Sequence, residues 1–304
     1  MVSRGPSKLY RSFTRRSLLA LPLLGACSRK PEHARVDPAL APLVPEGTTS
    51  LAGLRLDLLK KTPLWQKLFP AGGPGPLEGL RERTGMDVAD DLYEVVYCMG
   101  GRHRLALLRG KWTNGGIANS GLEPELRIEG GQKLPYKGYV LQGREDAAVV
   151  FFNSSVALAG KAAALRDSID ARNAQKLASV NATSMVESLP HDAHVYFVSD
   201  APKMPESGLG GLKSVPFQFR SVNAYLSTKE LIRFHAEGQS DSEEAARKAA
   251  ESLRGILSLL KIDKSRGAWA DALRVQEQGS KVLLDADLSL ENAAEIVKLL
   301  DIGG

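Results

Sequence analysis

Cysteine is nearly absent: the 304 residues hold two, Cys27 and Cys98, too few for the disulfide framework that staples small secreted domains. Aromatic residues make up 6% of the chain, and no basic run with interleaved aromatics occurs, which argues against a nucleic-acid surface. No apolar run reaches the roughly 20 residues that span a bilayer as a helix. Catalytic signatures are also missing. There is no G-x-S-x-G elbow and no HExxH pair, and the stretch 155–162 departs from the phosphate loop: Ser155 stands where its first glycine belongs and Ala162 where its hydroxyl belongs. The glycine-rich segment 208–214 fails the same test and has no apolar strand before it.

What is present begins at the N-terminus. Arg4, Lys8, Arg11, Arg15 and Arg16 precede a short apolar run from Leu18, with no acidic residue among them. A charged region followed by a short apolar one is the pattern of an export signal, and Pro22 interrupts it as a helix. Leu24, Gly25, Ala26 and Cys27 resemble the lipobox of bacterial lipoproteins, in which small residues precede a cysteine that is lipidated and becomes the new N-terminus. Residues 1–26 are therefore expected to be a lipoprotein signal peptide, with Cys27 acylated by palmitate-type chains. Arg15-Arg16 before Ser17-Leu18-Leu19 also fits a twin-arginine signal, which would imply export of a folded chain.

That reading changes the charge argument. The formal net charge is +5, but removal of the signal leaves 35 basic against 35 acidic residues. A neutral body offers no overall field to draw in a polyanion. With Cys27 acylated, Cys98 has no partner and is expected in the core, inside the apolar strand 95–99.

Residues 27–44 carry Pro31, Pro38 and Pro42 with charges between them and read as a flexible tether. Two halves follow, 45–180 and 185–304, separated by a polar linker at 175–184. In the first half, strands are expected at 48–56, 92–99, 103–112, 136–142, 147–153 and 156–159, and helices at 58–69, 77–83 and 161–173. The segment 115–131 is polar, broken by Pro124, and helix-like or irregular. In the second half, strands are expected at 194–199, 217–226, 229–238, 272–277 and 281–288, the last two as a hairpin about Gln278-Gly279. Helices are expected at 242–260, capped by Ser240 or Asp241, and at 291–300. The order of elements in one half parallels that in the other, an internal pseudo-repeat. Antiparallel hairpins with interposed helices predict an α+β fold of two pseudo-repeated halves, each a mainly antiparallel sheet with packed helices.

Candidate chemistry is thin. His191 and His194, as H-D-A-H, have ligand character with Asp192, but they enter a strand and lack a supporting glutamate, so no metal and no cofactor is expected. Asp285 and Asp287 share one face of a strand, where an exposed polar surface is the simpler account, and Asp90-Asp91 reads as loop chemistry. The stripe Leu64, Trp65, Leu68 and Phe69 is the one candidate surface for a partner or lipid, set against ordinary core packing.

The chain resembles a group of uncharacterised bacterial lipoproteins. The resemblance rests on the lipobox and on Arg83-Thr84-Gly85-Met86-Asp87 running into Asp91-Leu92-Tyr93-Glu94. It also rests on Tyr136-Lys137-Gly138-Tyr139 and on Ala157-Leu158-Ala159-Gly160 followed by Leu165-Arg166. More loosely, the chain is similar to repeated α+β bacterial domains without assigned function. The resemblance implies an envelope location and supplies no catalytic residue. The expected function is that of a lipid-anchored, extracytoplasmic binding or scaffolding protein, held to a membrane through Cys27, with an envelope protein or lipid as partner. Ser28 after the cysteine favours the outer membrane. The alternative is an envelope enzyme or lipid-handling protein with its site in the groove between the halves.

Overall fold

Period-two alternation of apolar residues, the mark of a half-buried strand, recurs along the chain and builds a single antiparallel sheet in the computed structural model. The structure describes residues 33–68, 88–100, 103–112, 130–176, 180–200, 219–228, 231–262 and 267–292, all within one compact unit, His33–Gly304. The strands are β1 (Ser50–Arg55), β2 (Leu92–Gly100), β3 (His103–Gly110), β4 (Gln132–Tyr136), β5 (Tyr139–Gly143), β6 (Ala148–Phe151), β7 (Val156–Gly160), β8 (Val195–Ser199), β9 (Ser221–Thr228), β10 (Ile232–Gln239), β11 (Arg274–Gln278) and β12 (Lys281–Leu288). They pair in the order β11-β12-β10-β9-β8-β1-β2-β3-β7-β6-β5-β4. The α+β class is as expected. The two halves do not form separate sheets: β1 of the first pairs antiparallel with β8 of the second, Leu51 opposite Val198 and Leu54 opposite Val195.

The helices are α1 (Leu56–Leu59), α2 (Pro63–Leu68), α3 (Val88–Asp91), α4 (Ala162–Asn173), α5 (Val180–Val186), α6 (Glu243–Ile262) and α7 (Gly267–Ala272). On one face of the sheet, the core face, Leu51, Val96, Cys98, Leu105, Leu107 and Leu158 pack beneath Leu165 and Ile169 of α4 and Ala182 and Val186 of α5. Cys98 is a free buried thiol pushed up to about 12 by its burial, a packing residue as expected. On the opposite, open face, α1 and α2 bring Leu56, Leu59 and Leu64 over Leu92, Phe151 and Ala157 at one end of the strands. There α6 packs Ala246, Ala249 and Ala250 on Val282 at the β12 side. The Ser242 hydroxyl caps α6 by accepting from the Ala245 amide at 3.1 Å; Ser240 and Asp241 precede the cap.

Four expectations are corrected. Residues 33–44 belong to the body: Ala34, Val36, Leu40 and Val44 are buried in the core-face cluster, and the Ala34 amide donates to the Leu189 carbonyl at 2.9 Å. The tether expected at 27–44 is thus docked from His33 onward, because its sparse apolar residues fall where the sheet needs cover. The strand expected at 136–142 is β4 and β5 joined by a tight turn, with Lys137 and Gly138 at φ 46° and 86°, the left-handed pair that suits a two-residue hairpin. The linker expected at 175–184 contains the start of α5. The helices expected at 77–83 and over most of 291–300, and the segment 115–129, lie outside the described residues. The helix expected at 58–69 is two short ones, α1 and α2.

Candidate functional site

Strands with apolar side chains of both parities bury one face and present the other. In the middle of this sheet the second face carries no packed cluster among the described residues. Register places a row of directly opposed side chains across the open face: Ala236 opposite Ala224, Ala224 opposite Phe197, Phe197 opposite Ala52, Ala52 opposite Tyr97, and Tyr97 opposite Ala106. None is buried, Tyr97 is 37% exposed, and none belongs to the packed clusters among the described residues.

The alternation of small and aromatic residues gives the row relief. Ala52 lies on β1 between Tyr97 of β2 and Phe197 of β8, so two rings flank an alanine floor. Neighbouring strands are about 4.8 Å apart, which sets the flanking backbones roughly 10 Å apart. The result is a slot over β1, apolar on its floor and both walls, bounded in the next row by Leu54, which packs against the cluster under α1 and α2 and pairs with Val195. Val195 is 36% exposed. The row carries no acidic, basic or histidine side chain, so its chemistry is that of burying apolar surface.

The core face beneath the slot holds a different feature. Gly53 opposes Tyr196, and a Cβ at Gly53 would fall inside the tyrosine ring; glycine is needed there for the ring to lie flat on β1. Glu94, opposite Arg55 and Arg109, is 6% exposed. Burial pushes its carboxyl up to about 7 against the opposing pull of Arg55. Its Oε1 and the Tyr196 hydroxyl are buried without a partner. Asp37, from the docked segment, pairs with Arg109 at 3.4 Å. A further cavity of about 760 Å³ lies between residues 42–46 and α4. Beside it Lys137 donates to Asp170 at 2.8 Å and the Tyr136 hydroxyl to the same carboxylate at 2.9 Å.

The residues expected at a site are placed as follows. Leu64 is 5% exposed and belongs to the core, which corrects its place in a partner surface; Trp65 is half-buried against the same cluster. Leu68 ends α2, its side chain outside what the structure describes, and Phe69 and Cys27 lie outside the described residues. His194 is buried, its Nδ1 accepting from the Thr228 amide of β9 at 3.0 Å, and the His191 carbonyl accepts from Arg55 of β1 at 2.8 Å; both hold the entry to β8 against its neighbouring strands. Asp285 pairs with His235 at 2.7 Å, and Asp287 sits between Arg233 at 3.3 Å and Arg274 at 3.1 Å, a charged cross-strand ladder. Tyr97, Phe197 and Ala52 were missed. The available signal was that 95–99 and 195–198 are apolar at every position, more than a strand with one buried face requires.

No helix among the described residues is long and apolar enough to cross a membrane. No protein-family model matches the chain, and no curated protein matches it. Among solved structures the chain is similar to TP0453, a Treponema lipoprotein. Crystal form III aligns with a TM-score of 0.52 at 10% identity, covering 87% of this chain and 98% of that one. Crystal form IV gives 0.51 at 11%, covering 84% and 95%. At such identity the likeness is one of fold.

Proposed function

We propose that this chain is a lipid-anchored protein of the bacterial cell envelope, held through Cys27, that works by holding an apolar segment of a partner protein in the slot along β1. The observation that carries the reading is the half-buried row Ala224, Phe197, Ala52, Tyr97 and Ala106, with Tyr97 37% exposed, since a contiguous apolar band left only partly covered on a folded protein marks an interaction surface. The lipobox-like run 24–27 supports the anchor, and the lipoprotein nature of a protein with the same fold agrees with it. One observation favours a second reading, lipid handling. The slot lies at the β1–β8 junction, where the two halves meet, and its floor and walls are apolar, as an acyl chain requires.

One experiment separates these. A photoreactive phenylalanine analogue replaces Tyr97, Phe197 or, as an edge control, Lys133 in cells fed labelled palmitate. Label on wild type and its loss in Cys27→Ser is the expected result for the anchor. Adducts of protein mass at positions 97 and 197, with none at 133, are expected for the slot. Adducts of lipid mass at those positions would replace partner binding with lipid handling, and no adduct at either position would end both.

A further inference from the structure

The chain between Cys27 and the body is short. His33 bridges to Pro190, and the six residue steps from Cys27 to His33 can span at most about 22 Å even fully extended. If Cys27 carries acyl chains in a bilayer, the point where His33 docks stays within that distance of the lipid. This inference rests on the anchoring proposed above.

The dock is at one identifiable end of the sheet. Pro190 begins the turn that enters β8, the Arg55 amide at the end of β1 donates to the His194 carbonyl, and the His194 amide donates to the Leu226 carbonyl near the end of β9. The same end carries the β9–β10 turn, where Leu231 is 56% exposed, and the start of β8, where Val195 is 36% exposed. Two of the four exposed large apolar side chains among the described residues, Leu231 and Val195, therefore sit at the end where the leash joins the body. The opposite strand ends, where Gln239 pairs with Lys281 and Gln278 with Lys281, lie a strand length further off.

We infer that this end of the sheet, with Leu231 and Val195 at its tip, is a second membrane contact that enters the lipid interface and fixes the orientation of the body. Each apolar side chain seated there adds to the hold of the acyl chains. The body then stands with this end of its strands toward the membrane.

The test uses the full-length lipidated protein in vesicles of phosphatidylethanolamine and phosphatidylglycerol bearing a nitroxide on the acyl chain. An environment-sensitive dye is placed on Leu231→Cys or Gln278→Cys; Cys98, buried and held as the thiol, does not take it. Nitroxide quenching at 231 is expected to exceed that at 278 by at least about twofold, with aqueous iodide quenching in the reverse order. Equal quenching at both positions in vesicle-bound protein overturns this contact and leaves the anchor standing. Protein that carries no acyl chain and stays free of the vesicles overturns the anchor, and this contact with it.

Discussion

Glu94 shows how much a single residue's burial can govern. The carboxyl lies in the middle of the sheet, with burial as the largest cause of its raised value of about 7; Arg55 and a hydrogen bond from the Asp37 backbone amide lower it, while the charges of Asp37 and Asp57 raise it. In the unfolded chain the same group ionises near 4.5. Between those values the native state holds a proton that the unfolded state has lost, so stability falls as pH rises through the window. A shift of that size corresponds to about 3 kcal/mol. Glu94→Gln, which cannot ionise, is expected to gain on wild type by roughly that amount between pH 4.5 and pH 8 in urea titrations. A stability difference that does not vary with pH would show that the carboxyl is not buried as described. The sequence offered no sign of this: Glu94 sits between Tyr93 and Val95 like any outward-facing acid in an alternating strand, and its burial comes from residues 33–44 folding over it.

That docked segment is also where element-level reading failed, and the reason is physical. Ala34, Val36, Leu40 and Val44 are too few and too irregularly spaced to announce an element, and three prolines in 28–44 signal an unfolded linker. They are buried because the core face between α4 and α5 would otherwise be open, a tertiary cause that local pattern does not carry. Similarly, Val180–Val186 reads as polar until Ala182 and Val186 are seen against the sheet. Where signal and cause are both local, the reading succeeded: Lys281–Leu288 was placed to the residue, and the hairpin at Gln278-Gly279 forms with Gly279 at φ 58°. The docked segment makes a measurable claim. Leu40 is fully buried, so Leu40→Ala is expected to cost about 2–4 kcal/mol in chemical denaturation, as for any core leucine. A change within about 0.5 kcal/mol, the range of surface substitutions, would return 33–44 to the role of tether.

At the scale of the whole molecule, the junction of β1 and β8 decides what the two halves are. The sheet ends at β4 and β11, and both edges are blunted: Lys133 and Pro135 lie on one, Arg274 and Glu277 on the other, the residues that keep an edge from pairing with a stranger. β1 and β8 carry no such guard. Ser50–Arg55 has its only charge at the last position, and Val195–Ser199 has none. Each is also locked to the other beyond the ladder, by the Ser50 and Ser199 hydroxyls at 2.7 Å and by Tyr196 lying on Gly53. The repeat that the sequence suggested is therefore one of element order, and the halves depend on each other for a covered edge. Fragments 33–176 and 180–304, which keep the docked segment and α5 whole, are expected to aggregate when produced separately, through exposed β1 and β8, and to form a soluble one-to-one complex when co-expressed, as read by size-exclusion chromatography. Two stable monomeric fragments would mean that each half closes its own edge, and that the β1–β8 ladder only brings together bodies already complete.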